Sequence, residues 1–235
     1  MLSLDPHYIE SSASEEVYRY NSRNRLLDKT LLNQQKPQES LITFYQYDRQ
    51  GNTLSEVTRY LNKEEVHNRV LTQSPYIDND IGDWDNVSKS LVSKDYVSIK
   101  IYEYDTFQKT TKITVTSQKE TSIQENFYDA EGLRYAVREN DKYTGFISSG
   151  WSVFNETDEN WNSIKRLVSG VGIIASEDER LDCYHYYHQN EHGDTELITG
   201  VDGKIQNAYS YDVFGNIRTS QELIENRYTY YGEQY

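Results

Sequence analysis

One short pattern constrains this chain more than any other feature. Tyr45-Gln-Tyr47-Asp48-Arg-Gln-Gly51-Asn52 returns near the end as Tyr209-Ser-Tyr211-Asp212-Val-Phe214-Gly215-Asn216, and Tyr228-Thr-Tyr230-Tyr231-Gly232-Glu233 follows closely. A recurring unit is settled first, because it sets the architecture. Tyr-x-Tyr has the two-residue period of a strand, so both rings leave one face. The Asp accepts from backbone two residues on, and the Gly three residues later supplies a positive φ. The unit predicts a β-hairpin of about 20 residues closed by an Asp-x-x-Gly-Asn turn.

Weaker copies occupy much of the remainder. Tyr18-Arg-Tyr20-Asn21-Ser-Arg-Asn24 has Asn at both turn positions, and Tyr102-Glu-Tyr104-Asp105 has Phe107-Gln108 where Gly is expected. Phe127-Tyr128-Asp129-Ala-Glu-Gly132 keeps the Asp-to-Gly offset. Tyr186-Tyr187-His188-Gln-Asn190-Glu-His-Gly193-Asp194 reads as a variant with its Gly one residue late. The pattern predicts an all-β, antiparallel sheet of hairpins over 17–235, interrupted by an irregular stretch at about 61–95. There Leu61, Val66, Val70 and Leu71 fit a short helix or a strand pair. Residues 1–16 are polar and are expected to be loose, with Ser11–Glu16 a candidate single helical turn.

Composition supports strands. Tyrosine supplies 22 of the 235 residues, and its ring and hydroxyl suit a thin sheet with one wet face. Three prolines leave the strands unbroken. The formal net charge of −14 argues against nucleic acid and anionic membrane as partners, since both demand clustered Lys and Arg. No basic-then-apolar leader and no apolar run near the ~20 residues of a membrane span are present. The single cysteine, Cys183, excludes an intramolecular disulfide.

These units resemble the YD repeats of the Rhs family, which includes bacterial wall-associated proteins, toxin-complex shells and teneurins. The stretch from His188 through Gly193 to Tyr235 is similar to the closing part of an Rhs core, with its YDxFGN and YxYxGExY motifs. Ile164 to Ala175 is similar to the Gly-x-Gly linker before it. The resemblance implies a curved, spiralling β-sheet that encloses a polymorphic toxin, in a protein that is secreted or on the cell surface. It assigns structural roles to Tyr45, Tyr47, Asp48, Gly51, Tyr102, Tyr104, Asp105, Tyr128, Asp129, Gly132, Tyr209, Tyr211, Asp212, Gly215, Tyr228, Tyr230 and Gly232. The implied partners are the rest of the shell and an enclosed C-terminal toxin. Against the family pattern, the autoproteolytic motif and a toxin domain are not found before Tyr235. That reads as a fragment whose stretches Asn207–Phe214 and Asn226–Tyr231 would be exposed edges prone to self-association.

Residues that could carry chemistry read better as structure. His185, His188, Glu191 and His192 are zinc-type ligands, but in a strand His185 and His188 point to opposite faces. Cys183 and His185 share a face, yet nothing fixes a third group beside them. Asp78, Asn79, Asp80, Asp83 and Asp85 lack EF-hand spacing. The repeated Asp is a turn former. No enzyme, metal or cofactor is expected. The competing reading is a surface module that binds carbohydrate or protein through exposed Trp84, Trp151 or Trp161.

Overall fold

The computed structural model describes residues 14–71, 96–150, 152–170, 172–179, 183–211, 215 and 217–229. Its strands are β1 (Ser14–Tyr20), β2 (Leu26–Asn33), β3 (Leu41–Tyr47), β4 (Thr53–Tyr60), β5 (Ser98–Tyr104), β6 (Thr110–Ser117), β7 (Thr121–Tyr128) and β8 (Arg134–Glu139). They continue as β9 (Lys142–Ser149), β10 (Ser152–Thr157), β11 (Ser163–Ser169), β12 (Ile173–Asp178), β13 (Cys183–Gln189), β14 (Thr195–Gly200), β15 (Ile205–Tyr211) and β16 (Ile217–Glu222). Strand order in the sheet is chain order from β1 to β16. The fold is an all-β antiparallel meander.

The turns explain why short units suffice. In Asp48–Asn52 the Asp48 N–H donates to the Asn52 carbonyl (3.0 Å) and the Gly51 N–H to the Asp48 carbonyl (3.3 Å). The same two bonds close Asn21–Arg25, Asp105–Lys109, Asp129–Leu133, Asp158–Asn162, Asn190–Asp194 and Gly200–Lys204. This is a type I turn followed by one left-handed residue, the three-residue hairpin loop. In the Asx turns the first side chain accepts from the loop's own N–H groups, as Asp48 Oδ1 does from Gly51 and Asn52. Asp105, Asp129, Asp158 and Asn190 do the same. A register shift stands just before such turns, for instance between Gln46 and Tyr47 and between Glu156 and Thr157.

The left-handed fourth position is not reserved for glycine. Gly51, Gly132, Gly193 and Gly203 hold it, but so do Asn24, Gln108 and Trp161 with φ of 59°, 64° and 65°. The Asx at the first position is the stronger marker. Two turns, Asp158–Asn162 and Gly200–Lys204, are therefore hidden from a Tyr-x-Tyr-Asp-x-x-Gly pattern. The Gly expected one residue late in the 186–194 unit stands at the regular offset, because Asn190 takes the Asp position and Gly193 follows three residues on. Gly215 has a φ of 83°, while Asp212, Phe214 and Asn216 lie outside the described residues.

Two compact units make up the chain, 1–125 and 126–235. No boundary is visible there in the sequence, because the hairpin units run across it. In the first, Leu32, Ile42, Phe44, Val57 and Leu61 form the core, with Val17, Val66, Tyr96 and Ile99 packed against it. Helix α1 (Lys63–Leu71) helps cover that face. Its start is a capping box: the Glu65 N–H donates to Asn62 Oδ1 (2.8 Å) and the Asn62 N–H to Glu65 Oε2 (2.9 Å). Leu61 and Val66 flank the box as a hydrophobic staple, and Arg59 grips Glu65 with two bonds. Residues 61–71 thus resolve as helix, not a strand pair. At the other end, Ser14–Glu16 belong to β1, not to a loose segment or helical turn, because they pair with Leu31–Asn33.

The second unit buries Leu167, Ile173, Tyr187, Ile198, Tyr209 and Tyr228. Tyr228 is not on an edge strand. Residues 223–229 leave β16 and cross one face of the sheet, where Tyr228 is 1% exposed. The expected exposed edges are corrected accordingly. Asn207 and Ala208 are paired on both sides, by β14 and β16, Tyr209–Tyr211 are paired with β16, and Asn226–Thr229 is this strap. A ring as large as tyrosine gains more from burial on the sheet face than from an edge position.

Candidate functional site

The repeat tyrosines perform two separate tasks. The second Tyr of a unit stitches its strand to the preceding one beside the turn. Tyr47 Oη donates to the Leu26 carbonyl (3.0 Å), Tyr104 to that of Thr53 (2.7 Å) and Tyr211 to that of Thr195 (2.6 Å). Each acceptor is the first residue of the preceding strand. The first Tyr packs. Tyr102 donates to Glu56 Oε1 (2.6 Å), and Glu56 stands opposite Tyr45. Burial, then the Glu56 charge, pushes the Tyr45 hydroxyl well above its ordinary pKa, and burial with the Glu56 bond does so for Tyr102. Burial, reinforced by Glu222, lifts Tyr209 to about 12.

These stitches carry a prediction. Tyr47→Phe and Tyr104→Phe keep the ring and lose one hydrogen bond, so each should cost about 0.5–1.5 kcal/mol in urea unfolding. A loss below ~0.3 kcal/mol in both would show that water replaces the hydroxyl at the Leu26 and Thr53 carbonyls.

Of the other named positions, Asp48, Asp105 and Asp129 open turns, and Gly51 and Gly132 supply the positive φ. Tyr128 ends β7 immediately before the Asp129 turn. Tyr230 and Gly232 lie outside the described residues, as do Asp78–Asp85, Trp84 and Trp151. Trp161 is 67% exposed in its turn.

The strap builds the most elaborate polar arrangement in the second unit. Asn207 Oδ1 accepts from the N–H groups of Leu223 and Ile224, and its Nδ2 donates to the Ile224 carbonyl. Lys165 Nζ donates to the Glu225 carbonyl (3.0 Å). Tyr187 Oη donates to Asn226 Oδ1, and Thr195 donates to the carbonyls of Tyr228 and Thr229. Glu225 pairs with Lys142 and Arg227, and Arg227 also with Glu139. Side chains on β8, β9, β11 and β13 to β15 thus hold the strap, together with the backbone bonds from Thr195 N–H to the Thr229 carbonyl and from Leu223 N–H to the Gln206 carbonyl.

A cavity of about 260 Å³ lies under its first half, lined by Lys142, Thr144, Glu156, Lys165, Asp178 and His185 below and by Leu223–Glu225 above. Burial, then Lys165, holds the His185 pKa below its ordinary value, against the pull of Asp178. Cys183 Sγ is 3.9 Å from His185 Nε2. His188 falls on the opposite face, bonded to Thr199, and His192 is exposed in its turn. Among the described residues no group of three His, Cys, Asp or Glu is placed to hold a metal ion, and no helix is long and apolar enough to cross a membrane. No sequence motif announces the strap. The signal available was Tyr228 itself, whose unit has no Asp after its second Tyr.

No protein-family model matches the chain. Part of it is similar to the WapA nucleases. The tRNA(Glu)-specific nuclease WapA of Bacillus subtilis subsp. natto (strain BEST195) is 34% identical over 113 residues, 46% of this chain. The tRNA nuclease WapA of Bacillus subtilis (strain 168) gives the same identity over the same length. The chain spans about 5% of the length of these curated relatives. Among solved structures, TcdB2-TccC3-TEV matches 93% of this chain and 13% of its own, at 14% identity and a TM-score of 0.43. The Photorhabdus luminescens Tc holotoxin pore matches with 13% identity and a TM-score of 0.40.

Proposed function

We propose that this chain is a wall segment of an Rhs-type β-shell, which encloses a toxin carried elsewhere in the polypeptide. The observation that supports it most is the serial construction. Each hairpin pairs with its chain neighbours, and at Tyr47, Tyr104 and Tyr211 a tyrosine hydroxyl beside the turn ties the strand to the preceding one. Such a sheet lengthens by adding units, without one globular core. The repeated Asp and Tyr are consumed by turns and stitches, which leaves them no catalytic part. The nuclease named in the WapA relatives belongs, on this reading, to regions outside the small fraction of their length shared with this chain. Electron cryo-microscopy of the polypeptide that carries the segment should place β1–β16 in a wall around an enclosed volume. A segment projecting as a separate module, with its tyrosine-rich face against a glycan or receptor, would support the binding-module reading and overturn this one.

A further inference from the structure

The cavity under the strap is not what a structural wall requires. Glu156, Lys165 and His185 line it and are 4%, 8% and 7% exposed. Burying three ionisable groups around open space is costly unless each has a partner, and apolar side chains would fill the same face at lower cost. The cations have partners. Lys165 donates to the Glu225 carbonyl, Lys142 pairs with Glu225, and Arg227 pairs with Glu139 and Glu225. Glu156 is satisfied in part only: it lies in the field of Arg227, but its Oε1 is buried without a hydrogen bond. Glu156 stands opposite Lys165 in the sheet, but the Lys165 ammonium is turned to the strap carbonyl.

Charge points the same way. Lys142, Lys165 and Arg227 face Glu139, Glu156, Asp178 and Glu225, leaving one negative charge, and burial with Lys165 holds the His185 pKa below its ordinary value. The His185 imidazole and the Thr144 hydroxyl add polar groups to the cavity wall. We infer that the cavity is a site for a primary ammonium group, which would supply both the missing positive charge and the N–H donors that Glu156 lacks. A volume of about 260 Å³ equals roughly eight water molecules at ~30 Å³ each, enough for an amine of a few carbons. The ammonium could belong to a free amine or to a lysine side chain of an enclosed polypeptide. The site stands whether or not the shell reading holds.

The test is calorimetric and NMR titration of the full chain with methylammonium at constant ionic strength. Tetramethylammonium, which has the charge but no N–H, serves as control. Saturable methylammonium binding is expected, weakened at least tenfold by Glu156→Gln and unchanged by Glu103→Gln on β5, which does not line the cavity. A lysine-containing acetylated peptide, titrated in parallel, separates a side-chain source from a free amine by which of the two binds more tightly. Equal binding of tetramethylammonium, no saturable binding, or binding indifferent to Glu156→Gln would overturn the inference. Should the variant not fold, the carboxyl ¹³C shift of Glu156 in the wild type decides. A protonated carboxyl without amine needs no cation and refutes the site, and an ionised one that shifts on methylammonium addition supports it.

Discussion

Tyr228→Ala should destabilise the second unit by about 3–5 kcal/mol, the range for removing a fully buried aromatic ring. Tyr228 is 1% exposed and belongs to the cluster of Leu167, Tyr187, Ile198 and Tyr209. Its main-chain carbonyl also accepts from Thr195 Oγ1 (3.0 Å) and from Asn226 Nδ2 (3.0 Å), so the ring anchors a segment whose backbone is held by side chains. The loss should appear as a lower urea midpoint, together with faster amide exchange in β11, β13 and β14. Tyr60→Ala is the contrast. Tyr60 is 56% exposed, and its removal should change stability by less than ~0.5 kcal/mol. If the two variants cost the same, the strap does not hold the sheet face closed.

The difference between those tyrosines shows what the sequence discloses. Strand and turn were legible because they are local. Tyr45-Gln-Tyr47-Asp48 states its face, its turn and its bulge within a few residues, and an antiparallel meander needs only neighbours to agree. The turns at Asn21, Asp48, Asp105 and Asp129 could be read so. The turn at Asp158 could not, because Asn155-Glu156-Thr157 rather than Tyr-x-Tyr leads into it and Trp161 holds the left-handed position where glycine was the cue. Helix α1 was ambiguous from spacing alone, although Asn62 followed by Glu65 is a capping signal that favours helix. The strap and its cavity were not legible, because they depend on pairs far apart in the chain. Lys142 with Glu225 and Glu139 with Arg227 are separated by 83 and 88 residues. No local period links them. His185 and Cys183 sharing a face follows from strand period; the neighbours that depress the His185 pKa, Lys165 first, come from other strands.

Asn207→Leu should cost about 2–4 kcal/mol, because a residue of similar size removes the hydrogen bonds that hold the Ile224 backbone. Asn207 is 0% exposed and sits on β15 where the chain turns from β16 into the strap. Its Oδ1 accepts from Leu223 N (3.0 Å) and Ile224 N (3.1 Å), and its Nδ2 donates to Ile224 O (2.9 Å) and Tyr209 Oη (2.8 Å). The losses are unequal. Leu223 N still has the Gln206 carbonyl, and Tyr209 Oη still accepts from Asn226 Nδ2, so those two groups keep partners. Ile224, which is half-buried, loses both its N–H and its C=O partner, and each orphaned group costs up to about 1–3 kcal/mol. Added apolar area on leucine offsets part of that, which sets the upper end of the range below the simple sum. Asn207→Asp separates the roles, since the carboxylate keeps the acceptor for both N–H groups but sets a charge against the Ile224 carbonyl in a buried site. It should therefore be at least as damaging as leucine at neutral pH and recover on acidification, when the protonated acid can donate again. The local readout is trypsin cleavage after Arg227, which is 6% exposed in the strapped state and should become faster in Asn207→Leu well below the unfolding midpoint. Cleavage unchanged while stability falls would show that Asn207 acts within β15 and that the strap is held by Tyr228 and Lys165 alone.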